Sequence, residues 1–146
     1  MKTIIITGPS GSGKTFLARK LASIYKESII INTDSYYRDS LLIKFISLFR
    51  KDIYDRIISI KKKKLINTIS SIYKKEISIT FYNYEFTTRR SSKFNKKMYY
   101  EKNPKFIIVE GVFAHRLDLN YNYTINILCD ESKNICFKRR LSSRLS

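Results

Sequence analysis

Eight residues near the amino terminus combine backbone freedom, one cation and two kinds of hydroxyl at a spacing suited to phosphate. Gly8-Pro9-Ser10-Gly11-Ser12-Gly13-Lys14-Thr15 fits G-x-x-x-x-G-K-[ST]. Such a loop turns its N–H groups inward toward phosphate oxygens, and the helix that follows adds partial positive charge at its start. Lys14 has the reach for β and γ phosphates, and Thr15 offers a hydroxyl to Mg²⁺. The candidate nucleotide contacts are therefore Gly8, Ser10, Gly11, Ser12, Gly13, Lys14, Thr15 and Phe16, with ATP and Mg²⁺ as the implied ligands. Three of the chain's four glycines lie in this stretch, where average usage would give about ten over the whole chain.

Two carboxylates stand out beside the loop. Glu110 ends the apolar run Phe106 to Val109 and precedes Gly111, the fourth glycine. An acid at the carboxyl end of a parallel strand can hold a metal directly or through water; the competing reading is a solvated loop glutamate. Asp34 follows Lys14 by one helix and one strand, which returns it to the same sheet edge. There it can take a proton from an attacking hydroxyl, or it can cap the segment that follows it. Cys129 and Cys136 lack the spacing or companions of a metal site and read as free buried thiols. His115, the only histidine, reads as a loop or surface residue.

These residues need elements to hold them. Residues 2–7 are a β-branched run that predicts a buried central strand, and Phe16, Leu17, Leu21, Ile24 and Tyr25 predict a one-faced helix from Lys14. A second buried strand is expected at 28–32 and helical spacing at 41–60 and 65–73. Lys61 to Lys64 read as a solvated helix end between those two helices. An aromatic strand is predicted at 77–84, a polar surface loop at 88–105, strands at 106–109 and 123–128, and a basic helix at 131–145. Alternating strands and helices with room for crossovers predict an α/β fold, a three-layer P-loop NTPase arrangement with a mainly parallel sheet flanked by helices.

Length and composition bound the rest. A chain of 146 residues is expected to form a single domain, 1–146. No apolar run is long enough to span a membrane, and Ile4 to Ile6 is too short for the core of a signal peptide, so a soluble, cytoplasmic protein without a membrane partner is expected. The net charge of +17 suits a polyanionic partner, although an isoleucine- and lysine-rich coding bias accounts for part of it.

Several segments together resemble a known family. Gly8 to Thr15, then Asp34-Ser-Tyr-Tyr-Arg-Asp39, Tyr82-Asn-Tyr84 with Arg89, Val109-Glu-Gly-Val112 and Arg139-Arg140 follow one another in the order and rough spacing of the uridine/cytidine kinases. The neighbouring phosphoribulokinase and pantothenate kinase branch is similar. The resemblance implies ATP-dependent phosphoryl transfer to the 5′-hydroxyl of a pyrimidine nucleoside. It makes Asp34 the catalytic base and assigns Mg²⁺ to Thr15 and Glu110. It places Tyr36, Asp52, Tyr82 and Arg89 with Asp34 around the acceptor, and Arg139 and Arg140 in a lid over the phosphates. Asn83 and Thr87 stand where the family has Asp and His, and the chain reads as carboxyl-terminally short against that pattern.

Two other functions fit parts of the same sequence. One is an inactive or divergent ATP-binding protein with a basic nucleic-acid-binding surface, because aromatics interleave with cations from Tyr82 to Tyr100. The other is a related kinase acting on a different hydroxyl acceptor, since acceptor choice resides in residues 40–90. No oligomeric state follows from the sequence.

Overall fold

In a computed structural model of the chain, residues 1–39, 59–98, 104–119, 121 and 123–145 are described. They group into two compact units, residues 1–31 with 103–146, and residues 32–102. The predicted helix at 41–60 falls almost wholly outside the described residues, as does Asp52.

The first unit is built on a four-stranded sheet. Its strands are β1 (Lys2–Thr7), β2 (Ser28–Asn32), β5 (Phe106–Glu110) and β6 (Thr124–Leu128), in the order β2-β5-β1-β6. β1 pairs parallel with both neighbours, Ile6 lying opposite Glu110 on one side and Ile127 on the other. The architecture is thus α/β with a mostly parallel sheet and flanking helices, as the alternation of elements predicts. β1 is central, and Ile4, Ile5 and Ile6 are buried. β2 differs from the expectation: it lies at the sheet edge, and of its residues only Ile31 is fully buried.

Helix α1 (Lys14–Ile24) covers one face of this sheet. Ala18 joins Ile4, Ile6 and Ile108 in a core cluster to which Leu17, Leu21 and Ala22 add. The predicted apolar stripe is therefore rotated. Phe16 is 75% exposed and Ile24 also faces outward, whereas the Tyr25 ring lies 4.6 Å from that of Phe106; the small Ala18 and Ala22 allow close approach to the sheet. The last helix of this unit, lettered α3 below, spans Lys133–Leu145.

The second unit contains a short 3-10 turn at Thr33–Tyr36, helix α2 (Lys62–Tyr73) and an antiparallel hairpin of β3 (Ser78–Glu85) and β4 (Arg90–Lys97). α2 buries Leu65, Thr68, Ile69 and Ile72, and the Thr68 hydroxyl donates to the Thr80 carbonyl at 2.9 Å. The helix begins three residues before its first apolar position, so Lys62, Lys63 and Lys64 form its first turn. The predicted loop at 88–105 is corrected: residues 90–97 are a strand. Its polar, exposed side chains hide the alternation that marks a half-buried strand. Pairing is instead set by Phe81 opposite Phe94 and by a turn containing Arg89, whose φ is 52°.

Candidate functional site

The phosphate loop leaves central strand β1 and enters α1. Gly13, with φ 93°, is the cap residue of that helix; no side chain caps it and no acid occupies its first turn. The first N–H groups of an eleven-residue helix are thereby kept for an anion. Ser12 adds a buried hydroxyl without a hydrogen-bond partner among the described residues. Lys14 is 6% exposed, and its ammonium donates to the Pro9 carbonyl at 2.8 Å, so the cation is folded onto its own loop.

Strand register brings the carboxylate to this loop. Glu110 lies beside Ile6, and the Gly111 N–H donates to the Ile6 carbonyl at 3.0 Å. Glu110 is 2% exposed, and its Oε1 accepts the Thr15 hydroxyl at 3.1 Å. The solvated-loop reading of Glu110 does not hold: the carboxylate is buried and accepts the Thr15 hydroxyl, an oxygen pair of the kind Mg²⁺ takes. Oxygen donors of this kind suit that hard cation, which takes one or two protein groups and fills its shell with phosphate and water. The described residues contain no cluster of three or more acidic, His or Cys groups.

Around this pair the unit is tightly connected. Arg116 Nε donates to His115 Nε2 at 3.3 Å, which leaves the imidazole proton on Nδ1, 2.9 Å from the Thr7 hydroxyl. Thr7 in turn donates to the Val112 carbonyl at 3.0 Å. His115 is exposed, as expected, yet ties the end of β1 to the segment after Glu110. Cys136 is buried, whereas Cys129 is half-buried, and both are free thiols. Burial pushes the Cys129 thiol up; the Lys14 ammonium opposes this and the Glu110 carboxylate adds to it.

Arginine reaches the loop from α3. Arg139 Nη1 lies 3.4 Å from the Gly11 carbonyl, and its Nη2 lies 3.5 Å from Glu131. Arg140 lines a cleft of about 400 Å³ with Pro9, Ser10, Asn134 and Phe137. In the first unit, therefore, residues 8–15, Glu110, Arg139 and Arg140 converge. Phe16 follows them in sequence but projects outward.

The second unit carries the predicted acceptor residues. Asn32 Oδ1 accepts the Asp34 N–H at 2.7 Å, so Asn32 caps the turn in which Asp34 lies. Tyr36 is 2% exposed, and its ring lies 5.4 Å from that of Tyr82. Burial pushes the Tyr36 hydroxyl up against the opposing pull of the Thr68 side chain. Arg89 sits exposed in the hairpin turn.

One grouping escaped sequence reasoning. Lys61 was read as part of a solvated helix end, but its ammonium lies 3.1 Å from Asp39, donates to Ser91 Oγ at 2.7 Å and stands 5.7 Å from the Tyr82 ring centre. Asp39 also accepts the Ser91 N–H at 3.1 Å. Burial raises the cost of the Asp39 charge, but the hydrogen bonds from Lys61 and Ser91 outweigh it and hold the carboxyl below its ordinary range. The signal was present in Asp39 at the end of the Asp34 segment; its partner was hidden among four consecutive lysines.

A glycine loop feeding an uncapped helix, with a neighbouring strand's acid on the helix's first hydroxyl, is the arrangement of the P-loop nucleotide-binding proteins. The model of the Phosphoribulokinase / Uridine kinase family matches residues 3–144, and the chain belongs to that family of ATP-dependent kinases. Solved structures agree on the fold. A candidate fructose transport system kinase from Silicibacter sp. TM1040 superimposes with a TM-score of 0.71 at 14% identity, over 99% of this chain and 72% of its own. A candidate uridine kinase from Bacillus stearothermophilus gives 0.64 at 18%, over 97% and 77%, and the YGR205w protein 0.55 at 17%, over 77% and 45%. Comparison with curated protein sequences finds no match. Among the described residues no helix is long and apolar enough to cross a membrane.

Proposed function

We propose that the protein transfers the γ-phosphoryl group of ATP to the 5′-hydroxyl of a pyrimidine nucleoside. The observation that carries the phosphate half of this reading is the buried Thr15–Glu110 hydrogen bond at the mouth of the phosphate loop. In this reading Gly8, Ser10, Gly11, Ser12 and Gly13 supply the loop, with Phe16 at its edge. Lys14, Arg139 and Arg140 neutralise charge on the phosphates. Thr15 and Glu110 hold Mg²⁺, which when bound offsets charge on the transferring group.

The acceptor half rests on Asp34 as the base that takes the hydroxyl proton, with Tyr36 and Tyr82 as an aromatic wall. Asp52 and Arg89 are further acceptor contacts by family resemblance. Tyr36 supports this role from behind: its ring, 2% exposed, packs on Tyr82 and fixes the half-buried Tyr82 ring as the surface against which a planar base can lie. Asn83 is exposed on β3 and Thr87 in the following turn, so base recognition must use contacts other than the family's Asp and His. The test is transfer of labelled phosphate from ATP to uridine and cytidine by purified protein, beside a panel of other nucleosides and small alcohols. The expected result is a nucleoside 5′-monophosphate, with Asp34→Asn reducing turnover by about 10²–10⁴-fold while ATP binding persists. Transfer only to a different alcohol would replace the nucleoside assignment, and no transfer to any acceptor with ATP binding intact would overturn the reaction.

A further inference from the structure

Strand β4 is the element that the kinase chemistry leaves unused. Its sequence, Arg-Ser-Ser-Lys-Phe-Asn-Lys-Lys, holds four cations and no acid, and every residue except Ser91 is exposed. In the middle stands Phe94, 50% exposed. Its ring stacks on Phe81 across the hairpin, with centres 5.9 Å apart and planes 19° from parallel. The pleat sends Arg90, Ser92, Phe94 and Lys96 to one side of the strand, which puts a cation about 7 Å along from the phenyl ring. Lys93, Phe94 and Asn95 also line a groove of about 470 Å³ with Lys64 and Asn67 of α2 and with Glu76.

Edge strands often carry lysine to prevent pairing with another chain. That accounts for the cations, but a strand shaped only by that pressure has no use for a half-exposed phenyl ring at its centre. A ring fixed by a stacked neighbour loses little freedom when a further planar group is laid on it, and flanking cations supply attraction for a phosphate backbone. We infer that the β4 side of this hairpin is a binding surface for single-stranded nucleic acid. An acidic peptide would satisfy the lysines and leave Phe94 idle. A duplex would do the same, because its bases are already stacked on one another.

The experiment measures binding of the full chain to a short fluorescent oligothymidylate across a salt series. Binding is expected at low salt, weakening steeply as salt rises. Phe94→Leu keeps an apolar contact with Phe81 and should weaken binding about tenfold with little change in salt slope, as for one lost base stack. The double change Arg90→Gln with Lys96→Gln should lower the slope by about 1.4, two single-strand phosphate contacts. Circular dichroism on both variants confirms that the hairpin persists, and either variant suffices for the test. Lys14→Ala should abolish ATP binding yet leave oligonucleotide affinity unchanged, so this surface and the kinase site fail separately. The inference is overturned by no binding at low salt, by loss of binding in Lys14→Ala, or by indifference to both β4 variants. Equal affinity for polyglutamate without a Phe94→Leu effect would overturn it too and indicate a site for acidic protein instead.

Discussion

At the residue scale the buried Thr15–Glu110 pair is the most informative contact in the molecule. A carboxylate 2% exposed that accepts the Thr15 hydroxyl carries a desolvation cost that a bound cation would offset. Glu110→Gln preserves shape and the hydrogen bond to Thr15 while removing the charge. It should therefore leave thermal stability equal or slightly higher, and lower turnover by about 10–100-fold with a raised magnesium requirement. Steady-state rates measured across a magnesium titration, beside melting curves, check this. A variant that melts early and keeps its magnesium dependence would show Glu110 to be a packing residue only. The same scale explains why Asp34 was ambiguous in sequence. A carboxylate at the start of a turn can cap or catalyse, and here Asn32, two residues earlier and with its own side-chain oxygen, caps the turn.

At the element scale the loop depends on what packs behind it. Gly11 and Gly13 both have positive φ, 86° and 93°, but their surroundings differ. A β-carbon on Gly11 would run into the Cys136 carbonyl of α3, whereas one on Gly13 meets nothing within 4 Å. Gly13→Ala should therefore cost only the strain of a left-handed residue, about 1–2 kcal/mol. Gly11→Ala should cost more and displace the α3 backbone, weakening ATP binding along with stability. Denaturant unfolding of both variants, with ATP titrations, tests the order; equal losses would contradict the packing argument. Strands apolar on both faces were legible from sequence as continuous runs, as β1 and β5 show. The face of α1 was not, because alanines carry little hydrophobic signal yet set how closely a helix approaches a sheet. β4 was missed for a related reason: a strand exposed on both sides shows no alternation, and only its partner's register reveals it.

At the scale of the whole molecule the question is whether +17 or a specific site governs the response to nucleotide. A chain this basic gains stability from any polyanion, because neutralisation relieves repulsion among its own charges, and that general effect fades with salt. A built site behaves differently. Residues 8–15, Glu110 and Arg139 come from a loop, two helices and a strand of one compact unit, so a ligand held by all of them binds the folded chain and not the unfolded one. Such a ligand stabilises by about 2.7 kcal/mol at a concentration a hundredfold above its dissociation constant. The expected outcome is that magnesium ATP raises the melting temperature at about 0.15 M salt, where polyglutamate, a polyanion without phosphate, does little. Lys14→Ala should lose the ATP shift while keeping the low-salt response to both anions, since removing one cation barely alters the total charge. If polyglutamate and ATP protect alike at this salt, or Lys14→Ala keeps the full shift, the stabilisation belongs to bulk charge and not to the loop.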